Sequence, residues 1–313
     1  MKIVIFGAGS IGRGYLGELT RTAFEHVFIG SLLNTEIEIV AVVDNNKRLQ
    51  GTCVGGHRII SPKELPNLQY DRVLITVDAW RDDGEVAFAI RDQLLGLGIP
   101  RSKISLHCHM SGVLWLARIG FLHTFAKEIV YKNNLHGNVA ECGVYRGNFA
   151  QYINEFFHDR KCYLFDSFEG FYEQDLEVEE RLGNATAVDL RTQGSVDLYG
   201  KTSVELAELY CPYPENLIIR KGFVPETFEG VEDTFCFVNL DMDIYQPTFA
   251  ALAFFYHKMV QGGVILLHDH YDYIYKWDVP GVAQAVEAFE RQYGVSLIKI
   301  PIGDSSSLAI VKL

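Results

Sequence analysis

The sequence predicts an α/β chain of two successive units, each a largely parallel sheet wound with helices. Three observations carry this. Short apolar runs alternate with helical stretches along the whole length. A strand running into a glycine turn occurs twice: KIVIF into GAGSIGRG over residues 2–14, and NVAEC into GVYRG over residues 138–147. The length, 313 residues, suits two ordinary domains. The expected division is a nucleotide-binding type of unit over 1–110, a helical connector over 111–135, and a second α/β unit over 136–313.

In the first unit, residues 2–6 read as a buried strand and 13–30 as a helix. Strands follow at 37–43 and 72–77, and a helix at 84–97. Gly7, Gly9 and Gly12 fit G-x-G-x-x-G. Gly7 permits the tight turn, Gly9 lets a phosphate reach the backbone, and Gly12 lets helix and strand pack closely. Asp44 closes the second strand and fits an acid that receives ribose hydroxyls. It stands well beyond the usual spacing of about 20 residues, so the first crossover carries extra chain near 28–36. Two readings stand side by side: a second nucleotide site at Gly7, Gly9, Gly12 and Asp44, or glycines kept for packing alone. IFGAGSIG, VDNN, ISPKEL and YDRVLI resemble the small Rossmann-like domains fused to sugar-modifying transferases and methyltransferases. His107, Cys108 and His109 end an apolar run and read as a structural strand end rather than a metal triplet. Residues 112–131 read as one amphipathic helix.

In the second unit, Glu141, Gly143 and Gly147 form E-x-G-x-x-x-G after the strand at 138–142. A helix at 148–157 and a strand at 161–165 follow, ended by Asp166 close to the usual spacing. Two later strands empty into polar clusters. DTFCFVNLDMDIY (233–245) delivers Asp241 and Asp243, and GGVILLHDHYDY (262–273) delivers His268, Asp269 and His270. Parallel sheets bind ligands at this carboxyl edge. A lone buried carboxylate is costly there, so helix capping is the weaker explanation for two converging acids.

AECGVYRGNFA, YLFDSFEGF, TSVELAELY, RKGFVPETF, LDMDIYQPT and GGVILLHDH followed by GVAQAVEAF make residues 137–313 resemble the macrocin O-methyltransferase family. Its members methylate sugar hydroxyls on antibiotic glycosides. The resemblance implies two Rossmann-like domains in this chain, the C-terminal one a class I methyltransferase seven-stranded sheet with an antiparallel terminal hairpin. VSLIKIPI and SLAIVKL, over 295–302 and 307–313, supply that hairpin. It implies S-adenosylmethionine as cofactor, with Glu141, Gly143, Tyr145 and Gly147 around its methionine end and Asp166 and Ser167 at its ribose. It implies a divalent metal held by Asp241 and Asp269, with Asp241 as or beside the general base. The family carries Asp-Asp where this chain has His268–Asp269. Magnesium is the ion expected, and three outcomes stay open: weaker magnesium binding, a different metal such as manganese, iron or zinc, which an imidazole suits better, or no metal with His268 as the base. His268 stands as a third ligand or as a base in its own right. The charged segment 171–201 reads as a substrate cover, and Tyr271, Tyr273, Tyr275 and Trp277 as an aromatic wall for a sugar.

Composition narrows the partners. A net charge of -12 offers no counterion release on a polyanion, so nucleic acid is excluded as a main partner. A small sugar-containing substrate fits, and assembly into a homo-oligomer is left open. No apolar stretch reaches membrane-spanning length, and MKIVIFGAG begins a strand rather than a signal peptide, so a cytoplasmic protein is expected. The cysteines read as reduced core residues rather than a disulfide framework. Two rival functions are an NAD(P)-dependent sugar-nucleotide oxidoreductase using the first glycine turn, and a non-catalytic nucleotide-sensing protein.

Overall fold

The computed structural model describes residues 1–16, 38–77, 84–106, 113–184, 202–271 and 280–313. They form two compact units: residues 1–111 with 208–215, and residues 112–207 with 216–313. Among the described residues no helix is long and apolar enough to cross a membrane.

The first unit contains β1 (Lys2–Phe6), α1 (Ser10–Tyr15), β2 (Glu38–Val43), β3 (Cys53–Val54), β4 (His57–Ile60), β5 (Arg72–Ile75), α2 (Glu85–Gly96) and β6 (Ile104–Leu106). The sheet order is β3-β4-β2-β1-β5-β6, parallel except for β3 against β4. The β3–β4 hairpin is an addition to the strands expected from sequence. It turns on Gly55 and Gly56, both at positive φ, as a two-residue hairpin requires. Val54 and Ile59 of this hairpin join Ile3, Ile5, Ala8 and Val42 in one buried cluster. The first helix begins inside the glycine turn, at Ser10, and the remainder of the 13–30 helix lies outside the described residues. So do the crossover near 28–36 and His107, Cys108 and His109.

The second unit opens with α3 (Val113–Thr124), which passes directly into a π-helical stretch, Phe125–Tyr131. Of the expected single helix over 112–131, the described part, 113–131, is continuous but changes its winding midway. Then come β7 (Asn138–Cys142), α4 (Ala150–Phe156), β8 (Cys162–Asp166), α5 (Glu173–Arg181), α6 (Val204–Tyr210, its last three residues counted with the first unit) and β9 (Leu217–Lys221). β10 (Phe235–Leu240), α7 (Tyr245–Lys258), β11 (Met259–Leu267), α8 (Pro280–Tyr293), β12 (Ile298–Pro301) and β13 (Leu308–Val311) complete it. The seven strands are ordered β12-β13-β11-β10-β7-β8-β9. β13 is antiparallel to both β11 and β12, and the remaining pairs are parallel. This is the seven-stranded sheet with an antiparallel end that the sequence led us to expect.

The central strands are buried on both faces, which is why they read as unbroken apolar runs. All six residues of β10, FCFVNL, are buried, and Asn239 is the polar exception. Cys142, Cys162 and Cys236 are fully buried, and the five described cysteines are free thiols. Register then fixes the chemistry. Leu240 pairs with Cys142 on one side and Leu267 on the other. The next residues along the three strands, Gly143, Asp241 and His268, therefore leave the sheet in one row.

α5 covers part of this edge. Leu176 packs on Ile244, and the Tyr172 ring stacks on Phe223 with centroids 4.5 Å apart. The carboxylate of Glu179, fully buried, accepts the Tyr245 N–H at the start of α7 and a 2.6 Å bond from Asn184 Nδ2. Asp175 on the same helix is only 9% exposed. Burial, then Glu226 and Glu179, push its carboxyl up to about 6. A carboxyl raised in the folded state loses stability as pH climbs from its unfolded value, near 3.8, through 6. Asp175→Asn should therefore stabilise the chain by about 1 kcal/mol at pH 7.5, a screened fraction of the full shift. The gain should shrink below pH 6 and vanish near pH 4. Melting temperatures of both proteins across that range check it, and a gain that persists at pH 4 would refute this origin.

Candidate active site

The glycine turn after β7 is shaped by contacts that leave no room for side chains. Gly143 has φ +81°, and a Cβ there would sit 1.9 Å from the Asp241 carbonyl oxygen. Gly147, at φ +88°, lies against the Ala207 backbone. Asp166 ties the turn down from the neighbouring strand. Its Oδ2 accepts the N–H groups of Val144 and Tyr145 at 2.7 and 2.8 Å, and its Oδ1 accepts Phe168 N–H at 2.6 Å. Burial pushes the Asp166 carboxyl up, and these three bonds pull it back. Ser167 closes the following turn, donating to Gly170 O at 2.6 Å and accepting Glu169 N–H. The same device recurs in the first unit, where Asp44 accepts Ala8 N–H at 2.8 Å and Asn46 N–H at 2.7 Å. There Gly7 and Gly12 are demanded by packing, whereas a Cβ at Gly9 would meet nothing within 4 Å.

Beside the second turn, the strand ends bring Asp241, His268 and Asp269 together. His268 Nδ1 lies 3.0 Å from Asp241 Oδ1 and 2.9 Å from Asp269 Oδ2. Among the described residues these three form the group able to hold a metal ion. Their side chains are 19–27% exposed, so a ligand can reach them. Burial opposes the charge on His268, but Asp241 and Asp269 outweigh it and raise the imidazole to about 10. Burial likewise opposes ionisation of Asp241 and Asp269, and His268 overcomes it, holding both below the usual carboxylate range. Asp243 behaves in the opposite way. Burial and the like charge of Asp269 push it well above that range, and it shares a hydrogen bond with Asp269. Burial, then the charge of Lys299, lowers His270 to about 4 against the opposing pull of Glu287 and Glu290.

Three residues that sequence reasoning missed hold this cluster. Arg118 Nη2 donates to Asp241 Oδ2 at 3.0 Å and to Asn239 Oδ1 at 3.1 Å. Asn239 Nδ2 donates to Glu141 Oε1 at 2.8 Å. Ser306, on the β12–β13 turn, lies 3.1 Å from both Asp269 Oδ1 and the Asp269 N–H. Glu141 is 1% exposed, its Oε2 has no hydrogen-bond partner, and burial pushes its carboxyl well above the usual range. The signals were faint: one cation in an apolar helix, one amide in an apolar strand, one serine among three in a turn.

Backbone conformation marks the same edge. Tyr145, Phe168, Asp243 and Asp269, each after a different strand, adopt φ of 53°, 53°, 63° and 55°. Left-handed backbone is uncommon for side-chain-bearing residues and gathers at functional sites. Of the aromatic wall, Tyr271 packs on the core and donates its N–H to Ser306 O at 3.0 Å. Tyr273, Tyr275 and Trp277, and residues 185–201 of the expected cover, lie outside the described residues.

The sheet resembles that of known enzymes. The O-methyltransferase NovP superposes with a TM-score of 0.51 at 23% identity, over 63% of this chain and 80% of that one, which establishes the fold. The calicheamicin methyltransferase CalS11 gives a TM-score of 0.47 at 15% identity, covering 74% and 88%. No curated protein sequence matches the chain. Residues 1–105 match the model of C2185-like N-terminal domains. Residues 105–304, more than half of the chain, match the model of macrocin O-methyltransferases, TylF, and take in both the glycine turn and the Asp241–His268–Asp269 cluster. By that match the chain belongs to the macrocin O-methyltransferase (TylF) family and is an O-methyltransferase.

Proposed function

We propose that the chain transfers the methyl group of S-adenosylmethionine to a hydroxyl of a sugar, nucleotide sugar or glycosylated small molecule, at the carboxyl edge of the second unit's sheet. The observation that carries this is the shared row of Gly143, Asp241 and His268, which sets the cofactor turn beside the ionisable cluster. In this reading Glu141, Gly143, Tyr145 and Gly147 surround the methionine end, and Asp166 and Ser167 shape the ribose end.

The sulfonium carbon is already electrophilic, so the protein's tasks are alignment and proton removal. The acceptor oxygen forms its bond to the methyl carbon as the carbon–sulfur bond breaks. The hydroxyl proton passes to Asp241, whose carboxylate is kept ionised by its two cationic neighbours. In the unloaded cluster His268 carries a proton between Asp241 and Asp269 and orients both; as a metal ligand it would give that proton up.

A divalent metal fits the donor set. Asp241, Asp269 and His268 would hold it, two carboxylates and an imidazole favouring manganese, iron or zinc over magnesium. When bound, such an ion lowers the pKa of a coordinated hydroxyl.

Calorimetric titration with S-adenosylhomocysteine, NADH and nucleotide sugars, followed by methyl transfer to a panel of glycosides, tests the reading. We expect S-adenosylhomocysteine to bind. Tight NADH binding without it would favour an oxidoreductase, and no binding of either would favour a decayed enzyme. Exhaustive chelation should abolish transfer, and manganese should restore it better than magnesium. Full activity after chelation would exclude a required ion.

A further inference from the structure

Arg118 helps keep Asp241 ionised, and it is the costliest residue in its helix. It is 1% exposed, on a helix reading VLWLARIGFLHT. A guanidinium withdrawn from water is tolerated only when paired. Its pairing is specific. The same Nη2 meets Asp241 Oδ2 and Asn239 Oδ1, and the guanidinium carbon lies 4.4 Å from the centroid of the Phe149 ring.

The geometry fixes two further groups. Asn239 Oδ1 faces Arg118, so its amide nitrogen faces Glu141. Asp241 has Oδ2 on Arg118 and Oδ1 on His268, so its carboxylate is held at both oxygens. One chain of contacts thus runs from buried Glu141, Asn239 and Arg118 out to the half-buried Asp241, His268, Asp269 and Ser306.

We propose that Arg118 is a positioning residue of the methyl-transfer site: one buried nitrogen locks the Asp241 carboxylate and ties it, through Asn239, to Glu141 at the cofactor end. This rests on the reading of Asp241 as the acceptor-side acid. Arg118 also neutralises part of the charge that would draw a divalent cation to Asp241 and Asp269. Removing that charge should strengthen cation binding while loosening the geometry.

The test uses the full chain as wild type, Arg118→Gln, Arg118→Met and Arg118→Lys. Manganese affinity is read from the spectrum of the free ion, S-adenosylhomocysteine affinity by calorimetry, and folding by thermal melting. The glutamine variant keeps an N–H donor without the charge, and the methionine variant removes both. We expect each neutral variant that folds to bind manganese about tenfold more tightly than wild type, since a unit charge a few ångströms away is gone. Arg118→Lys should stay within about threefold of wild type. Arg118→Met should weaken S-adenosylhomocysteine about threefold or more, because Asn239 loses its anchor. Unchanged manganese behaviour in a folded neutral variant, including no binding by either protein, would overturn the proposal. Failure of the wild type to bind S-adenosylhomocysteine would instead defeat the underlying reading of the site, which the manganese comparison does not touch.

Discussion

Asp241→Asn should lower methyl transfer about 10³-fold, within the range general-base removal produces, while S-adenosylhomocysteine affinity changes only a few-fold. Asparagine keeps the shape, and its one oxygen can still accept from Arg118; its NH2 then faces His268 Nδ1, which must shed its proton to accept that bond. What it loses is the basic oxygen and one negative charge between two cations. Asp241→Ala should match it in rate and be less stable, because Arg118 and His268 then face each other without the carboxylate. Single-turnover transfer of a labelled methyl group, on any acceptor the glycoside panel yields, checks this. Near-normal turnover in the asparagine variant would place the base elsewhere, with Asp269 the first residue to examine.

Gly143→Ala should be the most damaging single methyl group in the second unit. The added carbon would stand 1.9 Å from the Asp241 carbonyl oxygen, and the residue would keep φ +81°. Neither strand end can yield without moving the row that carries Asp241. We expect a loss of about 3–5 kcal/mol or more, from backbone overlap plus a disfavoured φ, and no detectable cofactor binding. Urea unfolding and calorimetry measure the two effects. Gly9→Ala is the control. It occupies the equivalent kind of turn in the first unit, but φ there is -76° and nothing lies within 4 Å of the added carbon. Its stability should stay within about 0.5 kcal/mol of wild type. A mild Gly143→Ala would mean that the strand ends separate more easily than their packing implies.

Much of this was legible in the sequence, because the signals were periodic or punctuated. Buried parallel strands read as apolar runs, and the glycine turns and strand-ending acids located the carboxyl edge. The terminal hairpin was legible through its turn. The β3–β4 hairpin was not, since a two-residue strand offers no period to detect, although its Gly-Gly turn was in plain view. The winding change after Thr124 left no mark, because α and π turns take the same residue types. At the site, the acids announced themselves and their supports did not. Asn239 and Arg118 each look like a blemish in an apolar element. Their meaning lies in a contact across 121 positions of chain, which no local pattern records. The charge of His268 was also out of reach, since it depends on two carboxylates meeting one nitrogen.

The four left-handed residues at the ends of β7, β8, β10 and β11 bear on how this protein can be redesigned. Tyr145, Phe168, Asp243 and Asp269 keep side chains where the backbone would rest more easily with glycine, at about 1 kcal/mol each. A procedure that rewards thermal stability alone would rewrite those four positions early and return a hardier sheet with a blank edge. Any effort to toughen this enzyme should hold them fixed and look for its gains on the opposite rim, where the strands begin.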